Sequence, residues 1–348
     1  MKPYFVRVGE LSPTMFWINN PTRRQADLAI EHGAFGCTHN PSYSQKMLDH
    51  PEEKEYALKL LDEAIRETET DDEAAILFQQ KLVKPIAEKF MPMFEKSQGE
   101  HGFVSIQGDP IHDEDGEVIY QESLQNWPIS PNICCKIPVT LPGIEAMEKL
   151  VPAGVPLNAT EVFAVNQMTT ICDTYERISE KSGQKPKLYM SHIAGIYDDH
   201  FQAYVKANQV DISRDILWQA GLAVARKVYN ILIERGYHAT FIGGGARGLH
   251  HFTEMVGGKV VVTINWEGTA DKLIEEDPAV VYRLFNPVPH KVLDELIEKL
   301  PDFRRGYLDD GLSVEEFESF GPVLLFRSSF VKSWTRVLEV ARDRRAVL

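Results

Sequence analysis

Hydrophobic positions along the chain fall into two alternating patterns. Short runs rich in Val, Ile, Phe, Tyr or Cys lie at Met15–Asn19, Ala34–Thr38, Phe103–Gln107, Ile133–Ile137, Val155–Asn158, Leu188–Ser191, Ala239–Ile242 and Val260–Thr263. None has a clean polar face, as expected of strands covered by helices on one side and packed on the other. Longer stretches of helical period separate most of them. Asp71–Glu95 sets Ala74, Ala75, Leu77, Phe78, Leu82, Ile86 and Phe90 on one stripe, with Asp71 or Asp72 as cap and Pro85 expected to kink or divide the helix. Ser213–Arg235 is expected as a single helix, capped by Ser213 and stopped by Gly236. Eight such runs alternating with helices predict an α/β fold: a TIM (β/α)8 barrel with additional C-terminal helices. A doubly wound open sheet fits the same periodicity. After Trp266 only helices are expected, at about Ala270–Glu276, Pro289–Leu300, Val314–Glu318 and Phe320–Asp343. The chain therefore reads as a single domain over 1–348, with the barrel at about 14–270 and a helical extension at about 271–348.

Composition narrows the class. Of the 348 residues, 43% are apolar and 25% charged, which excludes a disordered, collagen-like or fibrous chain. No run reaches the ~18 apolar residues of a membrane span, so no membrane partner is expected. Met1–Pro13 carries Arg7 and Glu10 and lacks the apolar core of a signal peptide. Cys37, Cys134, Cys135 and Cys172 have no metal-ligand spacing and read as reduced, buried thiols of a cytoplasmic protein. A net charge of −14 repels phosphate backbones, so no nucleic-acid partner is expected. The polar segment Asp109–Pro131 reads as a solvated loop with a short helix around Glu122–Trp127. By position it follows the third strand, on the face where barrel active sites lie, and could cover the site.

One lysine stands out. In Ile133-Cys134-Cys135-Lys136-Ile137-Pro138 it sits in the middle of an apolar strand, and lysine is almost never buried unless paired. Alternation puts Cys134, Lys136 and Pro138 on one face and Ile133, Cys135 and Ile137 on the other. The β-branched face belongs against helices, so Lys136 points into the barrel. Desolvation there favours the neutral amine, the nucleophile for a ketone or aldehyde carbonyl. A buried ion pair, or a side chain reaching to the barrel mouth, explains the same lysine. A second feature is Thr38-His39-Asn40-Pro41-Ser42 at the end of the second strand. Asn40 could hold a substrate hydroxyl at the mouth, or simply build the turn and cap.

These residues resemble the transaldolase family of class I aldolases. Gly36–Ser42 is similar to that family's Thr-Thr-Asn-Pro-Ser motif. Ile133–Ala146 resembles the fourth-strand signature that carries its Schiff-base lysine, departing at Cys135. Leu157-Asn158-Ala159-Thr160 followed by Phe163, and Ile242-Gly243-Gly244-Gly245-Ala246-Arg247, resemble its fifth and seventh strands. The likeness runs from about Met15 to Trp266 and implies the barrel. It also implies that Lys136 forms an imine with a ketose carbonyl, that Asn40 and Asn158 hold donor hydroxyls, and that Thr160 and Ser191 line the pocket. Gln107 falls where the transferases carry a glutamate that works with a catalytic water; related aldolases that cleave without transfer carry glutamine there. Arg247 falls on a phosphate-binding arginine. The resemblance implies no metal and no organic cofactor, a sugar or sugar phosphate as the small-molecule partner, and assembly into dimers or larger rings, although no exposed apolar stripe decides the last point.

Three departures change the picture. Asn19 stands where the family has a proton-transferring aspartate, and an amide can orient a hydroxyl but cannot take its proton. Ile196 replaces a second phosphate-binding arginine, and Ile193 replaces an aromatic. The substrate is therefore expected to differ from that of ordinary pentose-phosphate transaldolase. Glu161, His39 and His192 lie beside site residues, but strict alternation aims them away, and Glu161 also reads as a first-turn helix residue. His250 and His251 are expected on a helix, facing different ways, as surface or capping residues and not a metal pair. Gly243–Gly245 lack nucleotide-loop spacing and read as a close backbone approach to substrate at a helix N-terminus. Two other functions fit the same residues: a non-catalytic carbohydrate-binding barrel, and an imine-forming isomerase or dehydratase.

Overall fold

The computed structural model describes residues 2–348. Eight strands close into a parallel barrel in chain order. They are β1 (Met15–Asn19), β2 (Ala34–Thr38), β3 (Val104–Gln107), β4 (Ile133–Pro138), β5 (Leu157–Val162), β6 (Leu188–His192), β7 (Thr240–Gly243) and β8 (Val260–Ile264). β1 pairs with β8 from Met15↔Val261 to Ile18↔Ile264, which closes the sheet and excludes the open alternative. β1 and β2 have the expected bounds. β5 departs furthest, running four residues past Asn158 through a bulge against β6 between Ala159 and Val162.

The interior is filled in two layers. The lower is apolar: Trp17, Phe103, Cys134, Tyr189, Ile242 and Val261 form one buried cluster. The upper is polar, with Thr38, Ser105, Gln107, Lys136, Asn158, Thr160, Ser191 and Thr263 all buried. Every second residue of a strand faces inward, so inward residues two apart, such as Cys134 and Lys136, occupy successive layers. The outward faces join the helix layer in a separate, larger core that includes Ile133, Cys135 and Ile137. Cys135 Sγ there meets the Ser123 carbonyl at 3.3 Å.

The helices show where local signals were overridden. Asp71–Lys96 runs undivided through both Pro85 and Pro92. Each proline removes one backbone donor, but buried Phe78, Leu82, Ile86 and Phe90 hold the turns on either side. The helix expected at Ser213–Arg235 is instead two. Ser213 caps a single turn, Arg214–Leu217, and a second helix spans Ala220–Glu234. Asp198 Oδ1 accepts the Gly221 N–H at 2.8 Å and fixes where that second helix begins. Within Asp109–Pro131 the helix is longer than expected, Gly116–Asn126, capped by the Asp115 side chain. Tyr4–Leu11 forms a helix that the pattern did not suggest, stacking Phe5 on Phe16 at 4.0 Å.

The last helix, Gly321–Arg345, lies over the carboxyl-terminal mouth of the barrel. Phe326, Ser329 and Phe330 reach the cavity that Lys136 lines. Ion pairs from Arg344 to Asp62 and from Arg345 to Asp71 hold its far end. Arg327 ties its near end to Asp113 at 2.7 Å and Glu114 at 2.8 Å, so the third-strand loop and the terminal helix meet over the site. Among the described residues, no helix is long and apolar enough to cross a membrane.

Gly36 is the tightest point of the lower layer. A Cβ there would run into the Trp17 indole and come within 2.8 Å of the Phe103 carbonyl oxygen. Gly36→Val is expected to destabilise the fold by about 1–3 kcal/mol through overpacking, read from a urea melt. An unchanged midpoint would mean that β2 does not press on Trp17.

Candidate active site

β4 delivers the lysine. All six residues Ile133–Pro138 are buried, and Lys136 faces inward with 8% of its surface exposed. Among the described residues its ammonium forms no ion pair, so the paired-lysine reading fails. Burial pushes its pKa down to about 8, with Glu161 and then Cys134 acting in the opposite direction. An amine in that range is partly neutral near pH 7 and reactive toward carbonyls.

The cavity it lines has a volume of about 370 Å³, enough for a hexose-sized ligand. Its wall is asymmetric. On the side of β1, β2 and β8 it is polar. Asn19 donates to Asn265 Oδ1 at 2.9 Å and accepts from Thr38 Oγ1 at 2.8 Å; Thr38 meets Thr263 Oγ1 at 2.7 Å. Lys46 enters from the helix Ser42–Asp49 and donates to the Asn20 carbonyl at 2.8 Å. On the opposite side Ile193, Ile196, Ala246, Phe326 and Phe330 form an apolar wall. A second hollow of about 10 Å³ joins Lys136 and Gln107 to Asp109, Asp113 and Glu122, with room for about one water.

Of the residues read from sequence, Asn19, Asn40, Lys136, Ser191 and Arg247 line the large cavity together. Asn158 does not reach it; fully buried, it accepts from Ser191 Oγ at 2.7 Å and supports that residue from below. Thr160 is fully buried as well. Gln107 lines the small hollow, donating to Glu161 Oε1 at 2.9 Å. Asn40 is committed to the turn through its Oδ1, which accepts from Asn20 Nδ2 at 2.9 Å and from the Ser42 N–H at 3.1 Å. Arg247 Nε is paired with Asp199 at 2.6 Å.

Several expectations need correction. Glu161 does not start a helix and does not point away from the barrel. It lies in the β5 bulge with φ +64°, a conformation that costs a non-glycine residue about 1–2 kcal/mol, and its carboxyl turns inward to Gln107. Burial pushes its pKa up to about 7, with Asp113 adding to the rise. His251 is not a surface residue. It is buried, its Nε2 3.0 Å from Asp198 and its Nδ1 accepting the Arg247 N–H at 3.2 Å. Asp198, His250 and His251 bring three potential ligand atoms within 4.8 Å, but those of Asp198 and His251 are already spent on protein partners. Gly244 and Gly245 do line the cavity, yet the next helix begins only at His250, so the glycine turn is not a helix N-terminus. His39 is fully buried and kept neutral by desolvation, its pKa lowered to about 3.

Lys46, Asn265 and the terminal-helix pair Phe326 and Phe330 escaped sequence reasoning. Asn265 was legible, because Val261, Thr263 and Asn265 share one face of β8 and its continuation. The others arrive from helices, where strand alternation gives no signal.

A closed parallel barrel with a polar, lysine-lined cavity at the carboxyl ends of its strands is the architecture of a barrel enzyme. The sequence profile described as transaldolase/fructose-6-phosphate aldolase matches residues 16–300. The chain belongs to this family and is an aldolase-type enzyme. Its similarity to individual members is low. It is 24% identical to a transaldolase of Thiobacillus denitrificans over 328 residues, 88% of each chain. It is 26% identical to transaldolase 2 of Streptomyces avermitilis over 239 residues, 65% of this chain and 62% of that one. It is 30% identical to a transaldolase of Mycobacterium tuberculosis over 158 residues, 43% of this chain and 40% of that one.

Lys136 burdens the fold that holds it. At pH 7 the native ammonium is still mostly charged, and its pKa of about 8 lies below the 10.5 of a free lysine. The unfolded chain therefore binds more protons between those values, and stability rises with pH across that window. Lys136→Met is expected to stabilise the protein at pH 7 by on the order of 2–3 kcal/mol. The gain should shrink as the pH rises above about 8, followed by urea melts at several pH values. A variant less stable than the parent at pH 7 would contradict the burial of a free charge.

Proposed function

We propose that the protein is a class I aldolase or transferase in which Lys136 forms a Schiff base with a ketose-like carbonyl and the adjacent C–C bond is made or broken. The observation that carries this reading is the placement of Lys136: buried, inward-facing, unpaired among the described residues, and lining a cavity of sugar dimensions. The unprotonated amine attacks the carbonyl carbon, water leaves, and the iminium becomes the electron sink for the neighbouring bond. Ser191, supported by Asn158, and the Asn19–Thr38–Asn265 network offer hydrogen bonds to sugar hydroxyls. Asn40 retains its Nδ2 for the same purpose.

The substrate differs from a pentose phosphate at the end that faces β6 and β7. A bidentate phosphate site needs free cationic donors. Here Arg247 is engaged by Asp199, and Ile193 and Ile196 line the wall beside it. An unphosphorylated aldehyde or ketose end suits that wall better. Gln107, an amide, weights the reading toward aldolase over transferase.

The direct test is reductive trapping. Incubation with a panel of ketoses and cyanoborohydride should add one sugar unit to Lys136, located by peptide mass spectrometry, and Lys136→Met should abolish it. The rate should climb above pH 6 as the amine loses its proton. Tight sugar binding with no adduct across the panel would instead assign a carbohydrate-binding barrel. Products of the same size as the substrate would assign an isomerase or dehydratase.

A separate test addresses the phosphate. Ile196→Arg is expected to raise kcat/KM for phosphorylated over unphosphorylated aldehydes by about 10–100-fold, the worth of one charged hydrogen-bonding partner. A parent enzyme that already prefers the phosphorylated acceptor would overturn the substrate assignment.

A further inference from the structure

Imine formation at a buried lysine needs a group that can give and take a proton, and the amides at residues 19 and 107 cannot. Four carboxyls that are buried or partly buried lie near Lys136, and one of them, Asp109, is engaged by His112 at 2.7 Å and by the Ile111 N–H at 2.7 Å. Asp113 is held by Arg327 at 2.7 Å, and Glu122 accepts the Asp109 N–H at 2.9 Å from the outer helix Gly116–Asn126. Glu161 differs from the others. It is on a barrel strand, it lines a neighbouring hollow with Asp113 and Pro138 and reaches the Lys136 site through Gln107, and it is the carboxylate that acts most strongly on the Lys136 charge. One oxygen accepts from Gln107 Nε2 at 2.9 Å, while the other, Oε2, is buried with no hydrogen-bond partner among the described residues. Gln107 Oε1 and Thr160 Oγ1 are unpartnered and buried in the same way. Gln107 pairs with Lys136 across β3 and β4, and both line the small hollow with room for about one water. The backbone is held at φ +64° where a regular strand would turn this side chain outward. Strain of this kind persists where the surroundings over-determine it and is concentrated at functional sites.

We propose that Glu161, hydrogen-bonded to Gln107, is the proton-transfer group for imine formation and hydrolysis at Lys136. This rests on the Schiff-base reading above. Lys136 Nζ adds to the ketose carbonyl to give a carbinolamine. The Glu161 carboxyl then delivers its proton, directly or across one water, to the carbinolamine hydroxyl. The C–O bond breaks, the nitrogen lone pair forms the C=N bond, and the products are iminium, water and the Glu161 carboxylate. Hydrolysis retraces the step, with the carboxylate taking a proton from the water that attacks the iminium carbon. Burial, reinforced by Asp113, sets the carboxyl pKa to about 7, which suits it to both directions near neutrality. The charged groups around it are Asp113 and Glu114 on the third-strand loop, Lys136 on β4, and Glu318 and Arg327 before and within the terminal helix.

The test is the initial rate of cyanoborohydride trapping of dihydroxyacetone on Lys136 in the full-length chain, from pH 5.5 to 9. The parent should give a bell with limbs near 7 and 8. Glu161→Gln should lower the rate by about 10²–10⁴-fold and remove the descending limb, leaving a rate that rises with pH to a plateau. A merely electrostatic or structural Glu161 predicts the opposite sign, because removing its charge leaves Lys136 more neutral and faster below pH 8. The exchange Gln107→Glu with Glu161→Gln keeps the hydrogen bond and returns the carboxyl to its other side. It should recover at least tenfold over Glu161→Gln, and it carries the test if the single variant does not fold. A folded Glu161→Gln protein at the parental rate, an exchange variant no faster than a slow Glu161→Gln, or a loss confined to Glu122→Gln would each overturn the proposal. Failure of the parent to form any adduct would instead overturn the Schiff-base reading.

Discussion

The site depends on a competition at one nitrogen. Burial of Lys136 drives its proton off; the Glu161 carboxylate draws it back. Burial wins, but only in part, and the amine settles within reach of neutral pH. Full desolvation without a nearby negative charge would leave a weaker base. A direct ion pair would leave an inert ammonium. The barrel avoids both by holding the carboxyl on Gln107, the residue in register with Lys136 on the neighbouring strand, without an ion pair to the ammonium. The strain of Glu161 in the β5 bulge and the cost of Lys136 in β4 are features of the same arrangement, in which stability is given up at the site and recovered in the apolar layer beneath it.

The cavity above that amine is divided by chemistry. Amides and hydroxyls from β1, β2 and β8 form one wall, and Ile193, Ile196, Phe326 and Phe330 form the other. The terminal helix contributes to the apolar wall and is latched to the third-strand loop through Arg327. Residues far from the barrel in sequence thus line the cavity at its mouth. This explains how the chain keeps the family's lysine strand while differing at the distal end of the pocket.

Much of the architecture was legible in the sequence, and the failures have physical causes. β1 and β2 could be bounded to the residue because their buried faces are continuous. The inward face of β4 followed from the β-branched set Ile133 and Ile137 seeking the helix layer. The undivided Asp71–Lys96 helix was not legible, because its two prolines are outweighed by tertiary packing. The break before Gly221 was hidden for the same reason, since it depends on Asp198 from another helix. Within the site, strand alternation found Lys136, whereas Asn19, Ser191 and Gln107 were implied by the resemblance to the transaldolase family. Alternation failed at Glu161, because a bulge adds a residue and reverses the face, and nothing local to Asn158-Ala159-Thr160-Glu161 marks a bulge. Lys46 and the terminal phenylalanines come from helices whose docking only the folded chain reveals.

The most direct measurement of the central claim is the titration of Lys136 itself, by NMR of lysine side chains labelled at Cε and Nζ, with Lys136→Met for assignment. A midpoint near 8, shifting downward when Glu161 is made neutral, is the result that the balance of burial and attraction requires. A midpoint at or above 10 would mean that this amine is solvated or ion-paired, and the account of its chemistry would be wrong.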